Sequence, residues 1–496
     1  MRSALMLLML LGLAAIPGSL VPQDRVDAFA VSRWKFAHPG LTPLYERLGL
    51  FHVYGSVWFS AIYMLLMASL VGCILPRLKV YWRAAAATPP RAPRNPSRLP
   101  NFLAAKLDAT AEETAERARA RLRRQRYRVR TTREADGSVT IAAQRGYLRE
   151  AGNLLFHLSV VLVLVSFAIG TLFGFRGGVI VVSGQTFTNV RQSYDDFAPG
   201  GLFGADGLEP FNLTLDDFKA SFMRAGPTLG QPTAFSADLT YQTFPGAAER
   251  SKTIEVNQPL TIGNTSVFLV GNGYAPLITV RDGKGKTVYS GPTVFLPEDA
   301  TYASWGVIKV PDAQPTQLGF EGQFLPTYGY DKQGGTFSQF PDTLAPTLSL
   351  TAYKGDLGLG SGIPQSVYSL NKKKLTALTD TDGKPLTLTI PMGKTRRLPN
   401  GIGTITFDGV RRWAKLQISA TPAEPLALGG VVLGLIGLLA SLYVRPRRIW
   451  LRARPRSGAG ADVELAGLDR REGHGLDRAL TQLLANIEAD IEKAAT

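Results

Sequence analysis

AGNLLFHLSVVLVLVSFAIGTLFGF, residues 151–175, carries no formal charge over 25 residues. At a helical rise of ~1.5 Å per residue that length crosses a bilayer core of ~30 Å, so the stretch reads as a transmembrane helix. One residue stands apart. The imidazole of His157 has two ring nitrogens that hydrocarbon cannot satisfy, so it needs either a hydrogen-bonding partner or a function.

Working outward, three further apolar runs accompany it, within residues 1–20, 50–75 and 425–444. Together they predict a polytopic α-helical membrane protein with four spans. Residues 1–20, with Arg2 ahead of an apolar run and then Pro17, Gly18 and Ser19, also have the layout of a signal peptide. Either way residues 21–49 lie outside the cytoplasm. Tyr54, Trp58 and Tyr63 mark the outer rim of the second span, and Pro76, Arg77 and Lys79 its cytoplasmic end. The arginines after Val444 put the end of the fourth span on the same side. Residues 76–150 and the tail, 445–496, are therefore expected inside, and residues 176–424 outside.

The charge pattern agrees. Residues 76–149 hold 18 Lys/Arg against 6 Asp/Glu, most of the formal net charge of +16, whereas 151–425 hold 22 against 21. A surplus confined to one loop between apolar runs is positive-inside bias, and it argues against nucleic-acid binding. Cys73 is the single cysteine, so the chain has no disulfide framework, no C-x-x-C pair and no C-x-x-C-H segment of its own.

Within 76–150, the Pro/Ala/Arg-rich stretch from Arg77 to Arg98 reads as a linker. A helix follows, capped by Asp108 or Thr110 and running through Arg126, and then a hairpin turning at Asp136-Gly137. This predicts a small cytoplasmic α+β module whose basic helix face is solvated or touches anionic lipid. Outside, β-branched stretches at 179–183, 265–270, 277–280, 386–390 and 405–407 recur between turn signals, predicting a large extracytoplasmic mainly-β domain, antiparallel and sandwich-like. Residues 176–424 contain no histidine or cysteine, which disfavours zinc and thiol chemistry there. The adjacent acids Asp195-Asp196, Asp216-Asp217 and Glu298-Asp299 would point to opposite strand faces and do not suggest a paired-carboxylate site.

Gly430 and Gly434, like Gly170 and Gly174, have the G-x-x-x-G spacing that permits close helix contact. The tail reads as a Gly/Arg linker ending in an amphipathic helix with Leu476, Leu480, Leu483, Leu484, Ile487 and Ile491 on one face, able to dock on a partner or on its own chain.

His157 sits ~12 Å inside the cytoplasmic surface by helical rise, and His52 is at the opposite rim, so the two cannot ligate one iron. Arg149, Asn153 and His157 share roughly one helix face, so Arg149 is a candidate propionate partner above a candidate haem axial ligand, His157. The competing reading is a histidine hydrogen-bonded across helices to a serine or a carbonyl as a packing residue. His52 is best read as a solvated interfacial side chain.

Several longer motifs carry a resemblance: LAAIPGSLVPQ at 13–23, WFSAIYM at 58–64, LVGCILP at 70–76, PRNPSRLP at 93–100, GYLREAGNLLFH at 146–157, EVNQPL at 255–260, GYAP at 273–276 and RRIWL at 447–451. In this combination the chain resembles the ResB family of cytochrome c biogenesis proteins, in detail the actinobacterial branch. The resemblance implies a retained first span, residence in the plasma membrane, and a role in system II haem delivery and attachment. It implies a ResC-type membrane partner, apocytochrome c as client, membrane lipid as surroundings and a thioredoxin-like thiol reductant as a further partner. It also implies haem b held transiently or shared with the partner, with the family's transmembrane histidine mapping onto His157. No self-contained catalytic site is visible, so any catalysis is expected to be shared with that partner. The alternative function is a membrane-anchored sensor or scaffold whose β domain binds an extracytoplasmic protein.

Overall fold

The computed structural model describes residues 2–24, 28–332, 335–361, 365–380, 382–456, 458, 460–469 and 475–495. Two compact units emerge, Met1–Ala168 with Ala423–Thr496, and Ile169–Pro422.

The first unit contains helices α1 (Arg2–Leu20), α2 (Ala28–Ala37), α3 (Thr42–Leu48), α4 (Val57–Ala86), α5 (Ala111–Arg124), α6 (Leu148–Phe173, shared with the second unit at its end), α7 (Glu424–Tyr443) and α8 (Gly475–Ala495). Three apolar helical segments, Thr42–Ala86, Leu148–Phe173 and Glu424–Tyr443, are long enough to cross a membrane, and Leu5–Leu20 is a shorter apolar helix.

The second run departs from expectation at both ends. Leu50–Gly55 form a 3-10 turn, and α4 starts only at Val57, where the Ser56 side chain accepts the Phe59 N–H. It then continues through Pro76 to Ala86. Pro76 removes one backbone donor, but the Arg83-Ala84-Ala85-Ala86 stretch is strongly helix-forming and the chain stops only at Ala87, two residues before Pro89. The expected linker is thus half helix.

The α+β module is larger than its expected span. Its five-stranded antiparallel sheet has the order Asn101–Leu107, Ala461–Asp469, Arg447–Pro455, Val139–Arg145, Arg128–Arg133. Both middle strands of the tail were expected to be linker; residues 457, 459 and 470–474 of that stretch lie outside the described residues. The strand Arg447–Pro455 escapes pattern reading because its arginines look solvated. Arg452, however, is 8% exposed and donates to the Arg94 and Pro93 carbonyls at 3.1 and 3.3 Å. Trp450 Nε1 donates to the Pro90 carbonyl at 3.1 Å, so the proline-rich segment is pinned against this strand. Thr110, one of the two expected caps, closes a full capping box with Glu113 on α5. The amphipathic tail helix docks on its own chain: Leu476, Leu480, Leu483 and Ile487 are buried in the module core with Leu122, Ile141 and Leu451, and Arg121 of α5 grips Asp490 of α8.

The second unit is built of antiparallel strands throughout its named ladders. Its axis is a pair of 18-residue strands, Thr265–Asp282 and Gly403–Ala420, paired along their length. One half of this ribbon places Val267, Leu269, Leu416 and Ile418 in a core with Leu213, Leu215 and Ile254; the other places Ile278, Val280, Ile405 and Phe407 with Phe320, Phe324 and Leu350. The expected single sandwich is therefore two cores sharing one ribbon. Between them Trp413 Nε1 donates to the carbonyls of Tyr274 and Phe295 at 3.0 and 3.1 Å, and its ring occupies the space a side chain at Gly273 would take.

Candidate functional site

Small residues set how α6 and α7 meet. A Cβ at Gly437 would fall 2.6 Å from the Phe156 backbone nitrogen, and one at Gly152 would fall 2.7 Å from the Gly437 carbonyl oxygen. Gly434 faces Ser159 and Gly430 faces Val163. The helices run antiparallel with their backbones nearly touching, a contact that side chains larger than hydrogen would prevent. Ser159 and Ser166 satisfy their hydroxyls on their own helix, donating to Phe156 and Leu162 carbonyls at 2.7 and 2.8 Å. The second glycine pair serves another purpose: a Cβ at Gly174 would meet the carbonyls of Gly170 and Ala420, where the chain turns from α6 into its first strand.

His157 lies beside this seam, half-buried. Its Nδ1 is 2.7 Å from the Asn153 carbonyl oxygen on the preceding turn. A carbonyl only accepts, so Nδ1 carries a proton, and in the neutral ring it is Nε2 that bears the lone pair. Nε2 has no hydrogen-bond partner among the described residues. The Phe156 ring stands edge-on to the imidazole at 5.4 Å, and Tyr81 of α4 lies tilted against it at 5.8 Å. The bond stays within α6 and does not cross to a neighbouring helix; it fixes the ring with Nε2 on the side away from the Asn153 carbonyl, the arrangement that a carbonyl-held imidazole has when its other nitrogen is used as a ligand.

Arg149 stands in the first turn of α6, two turns before His157, and its guanidinium forms no ion pair among the described residues. His52 is remote. Tyr81, at the level of His157, is 24 residues along α4 from Val57, about 36 Å by helical rise, and His52 precedes Val57. His52 is instead exposed with Nδ1 3.8 Å from Asp24. The loop that carries it is fixed by Gln23, which donates to the Leu50 carbonyl and accepts from the Val53 N–H.

Two features were not anticipated. Tyr81 fell in the expected linker, so its contact with His157 had no sequence signal beyond an aromatic past Pro76. His38, exposed, stacks on Trp34 at 4.6 Å, with Tyr45 on the same indole at 4.5 Å. Among the described residues no group of three or more His, Cys, Asp or Glu is placed to hold a metal ion.

The donor set suits a single-ligand role. A neutral imidazole with its tautomer fixed, flanked by aromatic rings and apolar helix surface, can occupy one axial position of a haem iron.

A framework of long apolar helices carrying a β-rich unit, with one imidazole oriented among those helices, defines a class of helix-anchored proteins. Residues 1–481 match the ResB-like family, and the chain belongs to it. Relatives named cytochrome c biogenesis protein CcsB are similar to it: that of Thermosynechococcus vestitus is 25% identical over 91% of this chain and 87% of its own. That of Synechococcus sp. (strain CC9311) is 24% identical over 98% and 96%, and that of Synechococcus sp. (strain WH7803) 28% identical over 62% and 66%.

Proposed function

We propose that this chain is a subunit of a system II cytochrome c maturation complex in the plasma membrane, in which His157 Nε2 ligates the iron of a haem in transit. The observation that carries the reading is the Nδ1 hydrogen bond to the Asn153 carbonyl, which orients the ring and makes Nε2 the lone-pair nitrogen of its neutral form. Family membership and the naming of its relatives support the pathway. Four spans are completed by α1, whose 19 residues reach about 28 Å. The Lys/Arg surplus of 76–149 supports a cytoplasmic module and an extracytoplasmic β-rich unit.

Haem b is cargo here, held transiently, and its covalent attachment takes place on the C-x-x-C-H segment of apocytochrome c. This chain's residues hold and orient: His157 offers one axial bond, Tyr81 and Phe156 shield the imidazole from water, and Arg149 is the cation for a propionate at the headgroup level. The second axial position falls to a ResC-type partner. The β-rich unit, lacking histidine and cysteine, docks apocytochrome c, and thiol reduction belongs to a separate thioredoxin-like protein.

The test is co-purification with the ResC-type partner followed by absorption spectroscopy of parent and His157→Ala. The expected result is a haem Soret band in the parent, several-fold weaker in the variant and restored by added imidazole. A complex that forms without haem, or a variant with an unchanged band, removes the role given to His157.

A further inference from the structure

We propose that the rim of the α+β module from which the long apolar helices emerge is a binding surface for anionic phospholipid headgroups. The position of the rim follows from three contacts. Arg128, at the start of its strand, donates to the Ala85 carbonyl at 2.5 Å, at the end of α4. Its guanidinium also lies 4.0 Å above the Tyr147 ring, immediately before α6. Gly146, in the left-handed region at φ +89°, packs on Arg445 and Pro446 just after α7. The ends of α4, α6 and α7 thus converge on one edge of the sheet.

That edge receives one end of α5. The helix runs back along the Arg128–Arg133 strand, because its first turn meets the far end of that strand through the Glu112–Arg133 ion pair, and its last turn leads directly into Arg128. The helix is consequently polarised: Glu112, Glu113 and Glu116 lie at the far end, and Arg121, Arg123 and Arg124 at the rim. The far-end charges are internally compensated, Glu112 by Arg133 and Glu116 by Arg119, and Arg121 is taken up by Asp490. Arg123, Arg124 and Arg126 are exposed and form no ion pair among the described residues; Arg83 at the end of α4 and Arg445 after α7, also exposed, extend the cluster.

What such a rim faces is decided by the helices beside it. Where helices long enough to cross a bilayer leave it, the adjoining layer is phosphodiester headgroups, and the planar forks of several uncompensated arginines match a phosphodiester two bonds at a time. The inference rests on reading α4, α6 and α7 as spans and is independent of any haem at His157.

The full chain is reconstituted in nanodiscs of equal phosphatidylcholine and phosphatidylglycerol, extracted in mild detergent, and the lipid retained per chain is quantified. The parent is expected to retain phosphatidylglycerol preferentially, and R123Q/R124Q/R126Q to lose that preference by about 100-fold, at roughly five-fold per arginine. R119Q/R133Q, at the compensated end, is expected to behave as the parent. Raising NaCl from 50 to 500 mM is expected to lower the parent's preference, a measurement that needs no variant and decides the matter if the triple variant does not fold. Equal retention of the two lipids by the parent, an unchanged preference in a folded triple variant, salt-independence, or displacement by inorganic phosphate as effective as by short-chain phosphatidylglycerol overturns the proposal.

Discussion

Tyr81 and His157 meet between α4 and α6 with ring centroids 5.8 Å apart and planes inclined by 39°. The contact brings together the two helices that flank the module's first three strands in sequence, so the imidazole's surroundings depend on both. Removing the ring in Tyr81→Ala opens one side of His157 to water or lipid, whereas Tyr81→Phe keeps the aromatic wall. A ring contact of this kind contributes ~0.5–1.5 kcal/mol, so haem retained by the co-purified complex should fall about 2- to 10-fold in Tyr81→Ala and stay near the parent level in Tyr81→Phe. Equal Soret intensity in all three proteins would show that Tyr81 does not shape the site.

The α6–α7 seam tolerates no added carbon at Gly437. A Cβ there meets backbone atoms of Phe156 and Gly152, which cannot rotate away, while at Gly429 nothing lies within 4 Å. Gly437→Ala is therefore expected to destabilise the protein by about 1–3 kcal/mol, the usual cost of overpacking, and Gly429→Ala to leave stability unchanged or slightly raised. Thermal unfolding in detergent separates the two, and identical midpoints would contradict the close backbone approach.

How much of this was legible depends on the range of the interaction that decides each element. The α6 helix and its odd histidine are visible in one uninterrupted stretch, since lipid-length apolarity needs no partner to be recognised. The carbonyl that fixes the imidazole is four residues away and could have been foreseen; Tyr81 could not, because Pro76 disguised the continuation of α4. The long ribbon looked like separate short strands because Gly271, Gly273 and Pro276 interrupt its β-branched pattern, and the close approach of Trp413 that requires Gly273 comes from residues 140 positions on. The tail strands were least legible. Arg452 is buried only because carbonyls more than 350 residues earlier receive it, so its charge is no guide to its place.

That burial makes Arg452 sensitive to substitution. Arg452→Ala would leave the Pro93 and Arg94 carbonyls without their shared donor and Glu464 with Arg454 as its remaining cation, at a cost of roughly 2–4 kcal/mol. Arg452→Lys should recover only part of this, because an ammonium cannot span both carbonyls in the guanidinium's plane. Proteolysis of the 83–100 segment offers a local readout: cleavage should accelerate in Arg452→Ala, and a protease-resistant variant would mean that the segment is held by other contacts.

Tyr274 links the β-rich unit's stability to alkaline pH. Its side chain is 1% exposed and its hydroxyl donates to the Pro341 carbonyl at 2.7 Å. Burial pushes the phenol above its ordinary value of 10; Arg412, 5.0 Å from the ring, opposes the shift without cancelling it. In the unfolded chain the phenol releases its proton near pH 10, whereas the folded protein retains it. Stability is therefore complete below pH 10 and declines as pH rises through the raised value, by up to ~1.4 kcal/mol per pH unit for one proton. Tyr274→Phe should lose about 1 kcal/mol at pH 7, from the missing hydrogen bond, yet show a shallower decline above pH 10. Unfolding followed between pH 7 and 11.5 tests both signs, and a variant that declines as steeply as the parent above pH 10 would assign the alkaline sensitivity to other buried tyrosines.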